Sequence, residues 1–96
     1  MLENLTIDSF AGHCGSTFRL VASDSLTFDL TLAEVTPLGA SAVRQAFSLT
    51  FTAPLDAPVL PQRIRRLEHP ALEGLDLFVV PIGPKNGVFR YEVIFT

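Results

Sequence analysis

The sequence predicts an all-β protein, a small antiparallel six-stranded barrel or sandwich with one short N-terminal helix. Apolar and polar residues alternate with a period of two over residues 26–32 and 47–52, as in strands with one buried face. Turn residues separate such runs at intervals of about 10 to 15 residues, and no strand-helix-strand alternation indicates a parallel sheet. The 96 residues suffice for one domain, residues 1–96, and leave little room for a second.

The composition predicts a folded core and excludes several classes of function. Apolar residues make up 48% of the chain against 18% charged residues, which is not the composition of a disordered protein. The formal net charge is −3 and arginines cluster only over residues 63–66, so we predict no nucleic-acid binding. The single cysteine excludes an intramolecular disulfide.

The N-terminal segment predicts a short helix over residues 5–10. Thr6 is a suitable N-cap, and Ser9 follows three positions later. Leu5 and Phe10 are then expected to pack inward, and two nearby glycines end the helix.

The first half of the chain predicts three strands. Strand patterns cover residues 16–21, 26–32 and 43–52, with a turn at 22–25 and a loop at 37–41. Alternation predicts inward-facing side chains at Phe18, Leu20, Leu26, Phe28, Leu30, Leu32, Phe47, Leu49 and Phe51.

The second half begins with a proline-rich connection and a weaker strand. Three prolines within residues 53–61 predict an extended surface connection. Residues 62–68 predict a fifth strand, although Ile64 and Leu67 are three apart and break strict alternation. Either a bulge intervenes or only one of the two faces inward.

The chain closes with a predicted β-hairpin. Residues 75–82 and 88–95 flank a loop of five residues that ends in Asn-Gly, a strong hairpin signal. Both strands are apolar on both faces, which predicts either a second covered face or a surface for a partner. The candidate partner-binding residues on this hairpin are Phe78, Val80, Val88 and Ile94.

Two arginines of the fifth strand are further candidates for contact with a partner. Arg63 and Arg65 are two apart, so they are expected to share a face and to be able to grip an acidic partner. The alternative, which we favour, is a charged edge strand that resists aggregation.

The residues capable of catalysis do not form a convincing site in the sequence. Cys14 adjoins His13, but a Cys-His site also needs an orienting group and an oxyanion pocket, so we expect Cys14 to be a small buried side chain. His69 precedes Pro70 and is expected to satisfy backbone groups of a turn. We predict no enzyme activity, no catalytic residue, no metal site and no cofactor.

The N-terminus lacks the pattern of a signal peptide, and no apolar run reaches the length of a membrane span. These features predict cytoplasmic synthesis and no membrane span. Later incorporation in a particle or fibre is compatible with them, because it leaves no mark on a sequence.

Five blocks, residues 10–18, 47–51, 67–72, 77–83 and 91–95, follow one another in an order that resembles a family of short bacterial proteins of unknown function. Members of that family are often encoded beside fibre proteins of the phage-tail-collar type. The resemblance spans nearly the whole chain and implies a shared fold. No catalytic or binding residues are defined for the family, so it implies none here.

The predicted function is therefore a non-enzymatic structural or assembly module that binds a protein partner or itself. The resemblance extends this prediction to a phage-tail-like or surface fibre apparatus. The alternative is a small β-barrel carrier, since a barrel of this size can hold a small ligand at one mouth.

Overall fold

A computed structural model describes residues 6–40 and 45–95, which form one short helix and six strands. Leu5 and residues 41–44 lie outside the described residues. The start of the strand predicted over residues 43–52 is therefore among the residues that are not described. The elements are α1 (Ile7–Ala11), β1 (Thr17–Ser23), β2 (Leu26–Ala40), β3 (Gln45–Pro54), β4 (Arg63–His69), β5 (Glu73–Lys85) and β6 (Val88–Phe95).

The six strands form one antiparallel sheet that closes into a barrel, in the order β1-β2-β3-β6-β5-β4. Sequential hairpins join β1 to β2, β2 to β3, β4 to β5 and β5 to β6, whereas β3 pairs with β6 and β1 with β4 across the sequence. The all-β, six-stranded prediction is confirmed, and closure of the sheet selects the barrel over the sandwich.

Alternate side chains of every strand fill the interior of this barrel. Phe47 stacks on Phe95 with ring centroids 4.6 Å apart, and Phe18 meets Phe51 edge-on at 5.2 Å. Aromatic pairs in these geometries contribute about 0.5 to 1.5 kcal/mol beyond their buried area. The predicted inward positions in β3 are confirmed, as Phe47, Leu49 and Phe51 are fully buried.

Helix α1 closes one end of the barrel, which we call the helix end. The backbone N–H of Thr6 donates to Ser9 Oγ at 3.0 Å, and the N–H of Ser9 donates to the Thr6 carbonyl at 2.9 Å, so the predicted start of the helix is confirmed. Phe10 is fully buried, with its ring 5.5 Å from Phe95 and 6.0 Å from Phe47. The helix therefore plugs the barrel with one aromatic side chain.

The opposite end, the strap end, is crossed by residues 55–62, which we call the proline strap. It leads from β3 to β4, which lie three strands apart in either direction around the closed sheet. The N–H of Leu60 donates to Tyr91 Oη at 3.1 Å, and Arg65 Nη2 donates to the Pro61 carbonyl at 2.9 Å. The extended connection predicted over residues 53–61 is confirmed from residue 55 onward, where it is tied to the barrel at two points. Ala53 and Pro54 instead belong to β3 and pair with β6.

The prediction of a loop at residues 37–41 is wrong, because strand β2 extends through most of this segment. It continues to Ala40, and Pro37 pairs with Phe47 of β3. Pairing with β1 ends at Thr31, so this part of β2 has one paired neighbour among the described residues. A proline, which has no N–H to donate, is tolerated in such a position and beside a bulge, and the register shifts between Pro37 and Gly39.

The predicted inward position of Leu26 is also wrong, since its side chain is 45% exposed. Leu26 is the first residue of β2, directly after the turn, and the register of the β1–β2 pair shifts between Val21 and Ser23. Alternation that holds within the strand therefore does not extend to this residue.

The closing hairpin has a tighter turn than the predicted five-residue loop. Strand β5 continues to Lys85 and β6 starts at Val88, so only Asn86 and Gly87 form the turn. Their φ angles of +54° and +86° are those of a type I′ turn, which matches the twist of the two strands. A further register shift between Pro81 and Gly83 accommodates the prolines and glycines before the turn.

Candidate functional site

Alternate side chains of strand β4 face the core. Arg65 and Leu67 are buried, whereas Ile64 is 66% exposed on the outer surface. Only Leu67 of the predicted pair Ile64 and Leu67 is therefore inward. Arg63 is exposed at the start of the strand, so the two candidate arginines differ in environment: Arg63 meets solvent and Arg65, 8% exposed, lies within the structure.

Three large apolar side chains are exposed on the outer surface of three neighbouring strands, β4, β5 and β6. Ile64 is 66% exposed, Phe78 51% and Ile94 55%. Ile64 and Phe78 are direct cross-strand partners. The described pairing of β5 with β6 ends at Val80 and Glu92. Phe78 lies two residues before Val80 on β5, and Ile94 lies two residues after Glu92 on β6. We call Ile64, Phe78 and Ile94 the apolar face.

The structure brings together only part of the predicted partner-binding set. Phe78 and Ile94 lie in the apolar face, and Val80 is half-buried beside it. Val88 is half-buried and pairs with residues at the strap end, next to the hairpin turn. The predicted partner-binding set did not include Ile64. Because side chains alternate along a strand, an inward Leu67 places Arg65 inward and Ile64 outward.

Charges of both signs surround the apolar face. Arg66 lies on the outer surface of β4, where its Nε is 3.2 Å from a Glu68 carboxylate oxygen and its Nη1 3.9 Å from Asp76 Oδ1. The Arg66 guanidinium also lies over Gly74, where an added Cβ would collide with it. Glu92 pairs with Val80 next to the face. These ion pairs are solvent-exposed, so each contributes at most about 1 kcal/mol to stability.

His69 is held by hydrogen bonds that assign its proton. The N–H of Ala71 donates to His69 Nδ1 at 3.0 Å, so in the neutral ring the proton is on Nε2, which lies 3.2 Å from Ser16 Oγ. Ser16 in turn donates its hydroxyl proton to the His13 carbonyl at 2.5 Å. Ser16 and His69 are therefore not arranged as nucleophile and base, and the prediction that His69 satisfies turn backbone is confirmed.

The environment of His69 disfavours its charged form. Burial, followed by the nearby imidazole of His13, lowers the pKa of His69. The two rings lie 4.7 Å apart, and Phe18 contacts His69 from the other side at 4.6 Å. The surroundings of His69 therefore favour its neutral form over its charged form.

The prediction that Cys14 is buried is wrong, because its side chain is exposed. It lies in the turn that follows α1, where the chain leaves the barrel end before β1 begins. Among residues 6–40 and 45–95, no group of three or more His, Cys, Asp or Glu side chains could hold a metal ion.

Two concave regions are prominent in the described part of the chain. A groove of about 520 Å³ on the outside of the sheet has Arg19, Asp29, Glu68 and His69 among its lining residues. A second pocket of about 250 Å³ lies under the proline strap and is lined mainly by apolar and aromatic side chains, including Phe28, Leu30 and Tyr91. We call it the strap pocket.

Fold and site together define a small closed β protein with an apolar cluster on its outer surface. Across the residues that the structure describes, no helix is long and apolar enough to span a bilayer. The chain belongs to a family described as a domain of unknown function, DUF6916, whose model matches residues 5–95. Comparisons with curated proteins and with solved structures gave no match.

Proposed function

We propose that this protein is a non-enzymatic assembly module that binds a second copy of its own chain through the apolar face. The observation that carries the proposal is the outward exposure of Ile64, Phe78 and Ile94 on three neighbouring strands. The barrel already has a filled interior, so folding alone gives no reason to place three large apolar side chains in water. Contiguous exposed apolar surface is typical of protein interaction sites.

The charges around the apolar face favour a second copy as the occupant. Arg66 is positive, while Asp76 and Glu92 are negative on the same outer surface. In a two-fold symmetric dimer the same patch meets itself, so it must carry groups that complement each other. A surface with both signs meets that requirement, whereas a surface of one sign would repel its copy.

The setting we propose for such a module is a phage-tail-like or surface fibre apparatus, reached after synthesis in the cytoplasm. This part of the proposal rests on the resemblance of five sequence blocks to a family often encoded beside fibre proteins. An apparatus of that kind is built from repeated copies, which fits a module that binds itself.

The experiment is a measurement of mass in solution by light scattering coupled to size exclusion, over a series of protein concentrations. The wild type is expected to associate, and the double variant Phe78→Ser with Ile94→Ser is expected to be monomeric. The control variant is Leu55→Ser with Val59→Ser, which removes two side chains of similar exposure, 55% and 58%, from the proline strap. It is expected to associate like the wild type.

A wild type that stays monomeric at every concentration would contradict self-association. Equal loss of association in the strap control would show that general apolar exposure, and not the apolar face, drives it. Circular dichroism on each variant confirms that the strands are retained before masses are compared.

A further inference from the structure

Arg65 is a buried cation with one buried donor, Nε, left without a partner. Its side chain is 8% exposed. Three nitrogen atoms carry its five N–H donors, and Nη2 donates to the Pro61 carbonyl at 2.9 Å. Nε is buried with no partner at all. Among the carboxylate side chains that the structure describes, none lies within 4.0 Å of this guanidinium.

Such an arrangement is unfavourable unless something compensates the charge. Burial, followed by repulsion from Arg63, lowers the pKa of Arg65, while the nearby Tyr91 opposes the shift. An arginine nevertheless stays protonated in proteins, so the site remains positively charged. A buried positive charge is normally paired with an anion that also satisfies its N–H groups.

The strap pocket lies next to this cation. Leu60 lines the pocket, and the next residue, Pro61, accepts the hydrogen bond from Arg65. Tyr91 lines the same pocket, and its hydroxyl accepts the N–H of Leu60. Arg65 is not itself a lining residue, but it donates to the strap residue that follows Leu60 of this pocket. The pocket has a volume of about 250 Å³, the liquid volume of about eight waters.

We propose that the strap end binds a small monocarboxylate with an apolar body, whose carboxylate pairs with Arg65 and whose body occupies the strap pocket. A carboxylate matches one guanidinium in charge and accepts two of its N–H groups in parallel. The lining, mainly apolar with Phe28, Leu30 and Leu60, suits a short alkyl chain or an aromatic ring, and it also includes the exposed residue Asp29. The site is separate from the apolar face and does not depend on self-association.

The proline strap is the part that has to move for binding. Arg65 Nε is buried, and Nη2 donates to the Pro61 carbonyl of the strap, so a shift of the strap frees these groups for a carboxylate. Residues 55–62 form no strand, and two hydrogen bonds, at Leu60 and Pro61, tie their C-terminal half to the barrel. Replacement of the Arg65–Pro61 bond by the carboxylate releases one of these ties.

The test is an NMR titration of the full-length protein with hexanoate, observing the side-chain Nε–H resonance of Arg65 and the backbone amide of Leu60. Both are expected to shift and to saturate. Hexanol, with a similar body and no charge, is expected to bind at least about tenfold more weakly, the usual loss when a charged hydrogen bond is missing. Inorganic phosphate, an anion without an apolar body, is expected to give no saturable shift.

Two variants distinguish Arg65 from its neighbour. Arg65→Met is expected to weaken hexanoate binding at least about tenfold, and Arg63→Met, which removes an exposed charge nearby, is expected to bind within about threefold of wild type. Should Arg65→Met fail to fold, Arg65→Lys keeps the charge and loses the planar fork, and is expected to bind about tenfold more weakly.

Three results with the wild-type protein would overturn the proposal. They are the absence of saturable shifts with hexanoate, equal binding of hexanol, and binding of phosphate as strong as that of hexanoate. Unchanged hexanoate binding in the folded Arg65 variant would also overturn it. The monomeric Phe78→Ser, Ile94→Ser variant is expected to bind hexanoate normally, so this test and the test of self-association fail separately.

Discussion

The hydroxyl of Tyr91 accepts a 3.1 Å hydrogen bond from the backbone N–H of Leu60, which lies 31 residues earlier in the chain. This bond joins the proline strap to β6 on the inner side of the barrel, where Tyr91 is 2% exposed. The strap has no sheet partner of its own. Its position over the barrel end therefore depends on this bond and on the bond between Arg65 and Pro61.

Replacing Tyr91 with Phe is expected to loosen the strap without disturbing the core. The ring remains, but the N–H of Leu60 loses its acceptor, so the free energy of unfolding should fall by about 1 kcal/mol. Urea denaturation measures that loss. Amide hydrogen exchange at Leu60 should accelerate, while exchange at Leu49 in β3 should keep its protection relative to global unfolding. Unchanged exchange at Leu60 would mean that the hydroxyl does not hold the strap.

The hairpin turn gives a second prediction, with a control from another glycine. Gly87 has a φ of +86°, so Gly87→Ala forces a Cβ into the left-handed region and should cost about 1 kcal/mol of stability. Gly12, at the end of α1, has a φ of −76° and no heavy atom within 4 Å of an added Cβ. Gly12→Ala is therefore expected to leave stability unchanged or slightly higher. Equal losses at both positions in urea denaturation would contradict the assigned turn.

His69 gives a prediction about pH. Because its pKa is lowered in the folded protein, the unfolded chain takes up a proton at a higher pH than the folded one does. Stability should therefore decrease as the pH falls through the ordinary histidine value of 6.5, and this contribution should level off below the folded pKa. Protonation of Nδ1 also removes the acceptor for the N–H of Ala71.

Urea denaturation at about pH 7.5 and about pH 5.5 tests this dependence above the range where most carboxylates titrate. The wild type should lose stability on acidification, and His69→Gln should lose less. An identical loss in the two proteins would show that His69 is not responsible for it.

Local features of this fold were predictable from the sequence because strand alternation is a local property. The inward positions of β3 and the Asn86-Gly87 turn follow from residues within a few positions of each other. The pairing of β3 with β6 and of β1 with β4 joins distant segments, and no short pattern encodes it. The sequence therefore did not decide whether the sheet closes into a barrel.

The candidate site was only partly predictable, since one strand carries an arginine where a core residue is expected. Arg65 turns inward and Ile64 outward, so reading by hydrophobicity alone assigns β4 the wrong faces. Phe78 and Ile94 were found because their strands are apolar on both faces. The exposure of Cys14 depends on how the turn after α1 meets the barrel, which the sequence does not specify.

The most direct test of self-association through the apolar face is an isotope-filtered NOE experiment on a mixture of labelled and unlabelled protein. Such an experiment detects only contacts between different copies. Contacts are expected from the Phe78 ring and from the Ile64 and Ile94 methyl groups to the same face of the other copy. Intermolecular contacts confined to another surface, or none at a concentration where the protein is associated, would contradict this assignment.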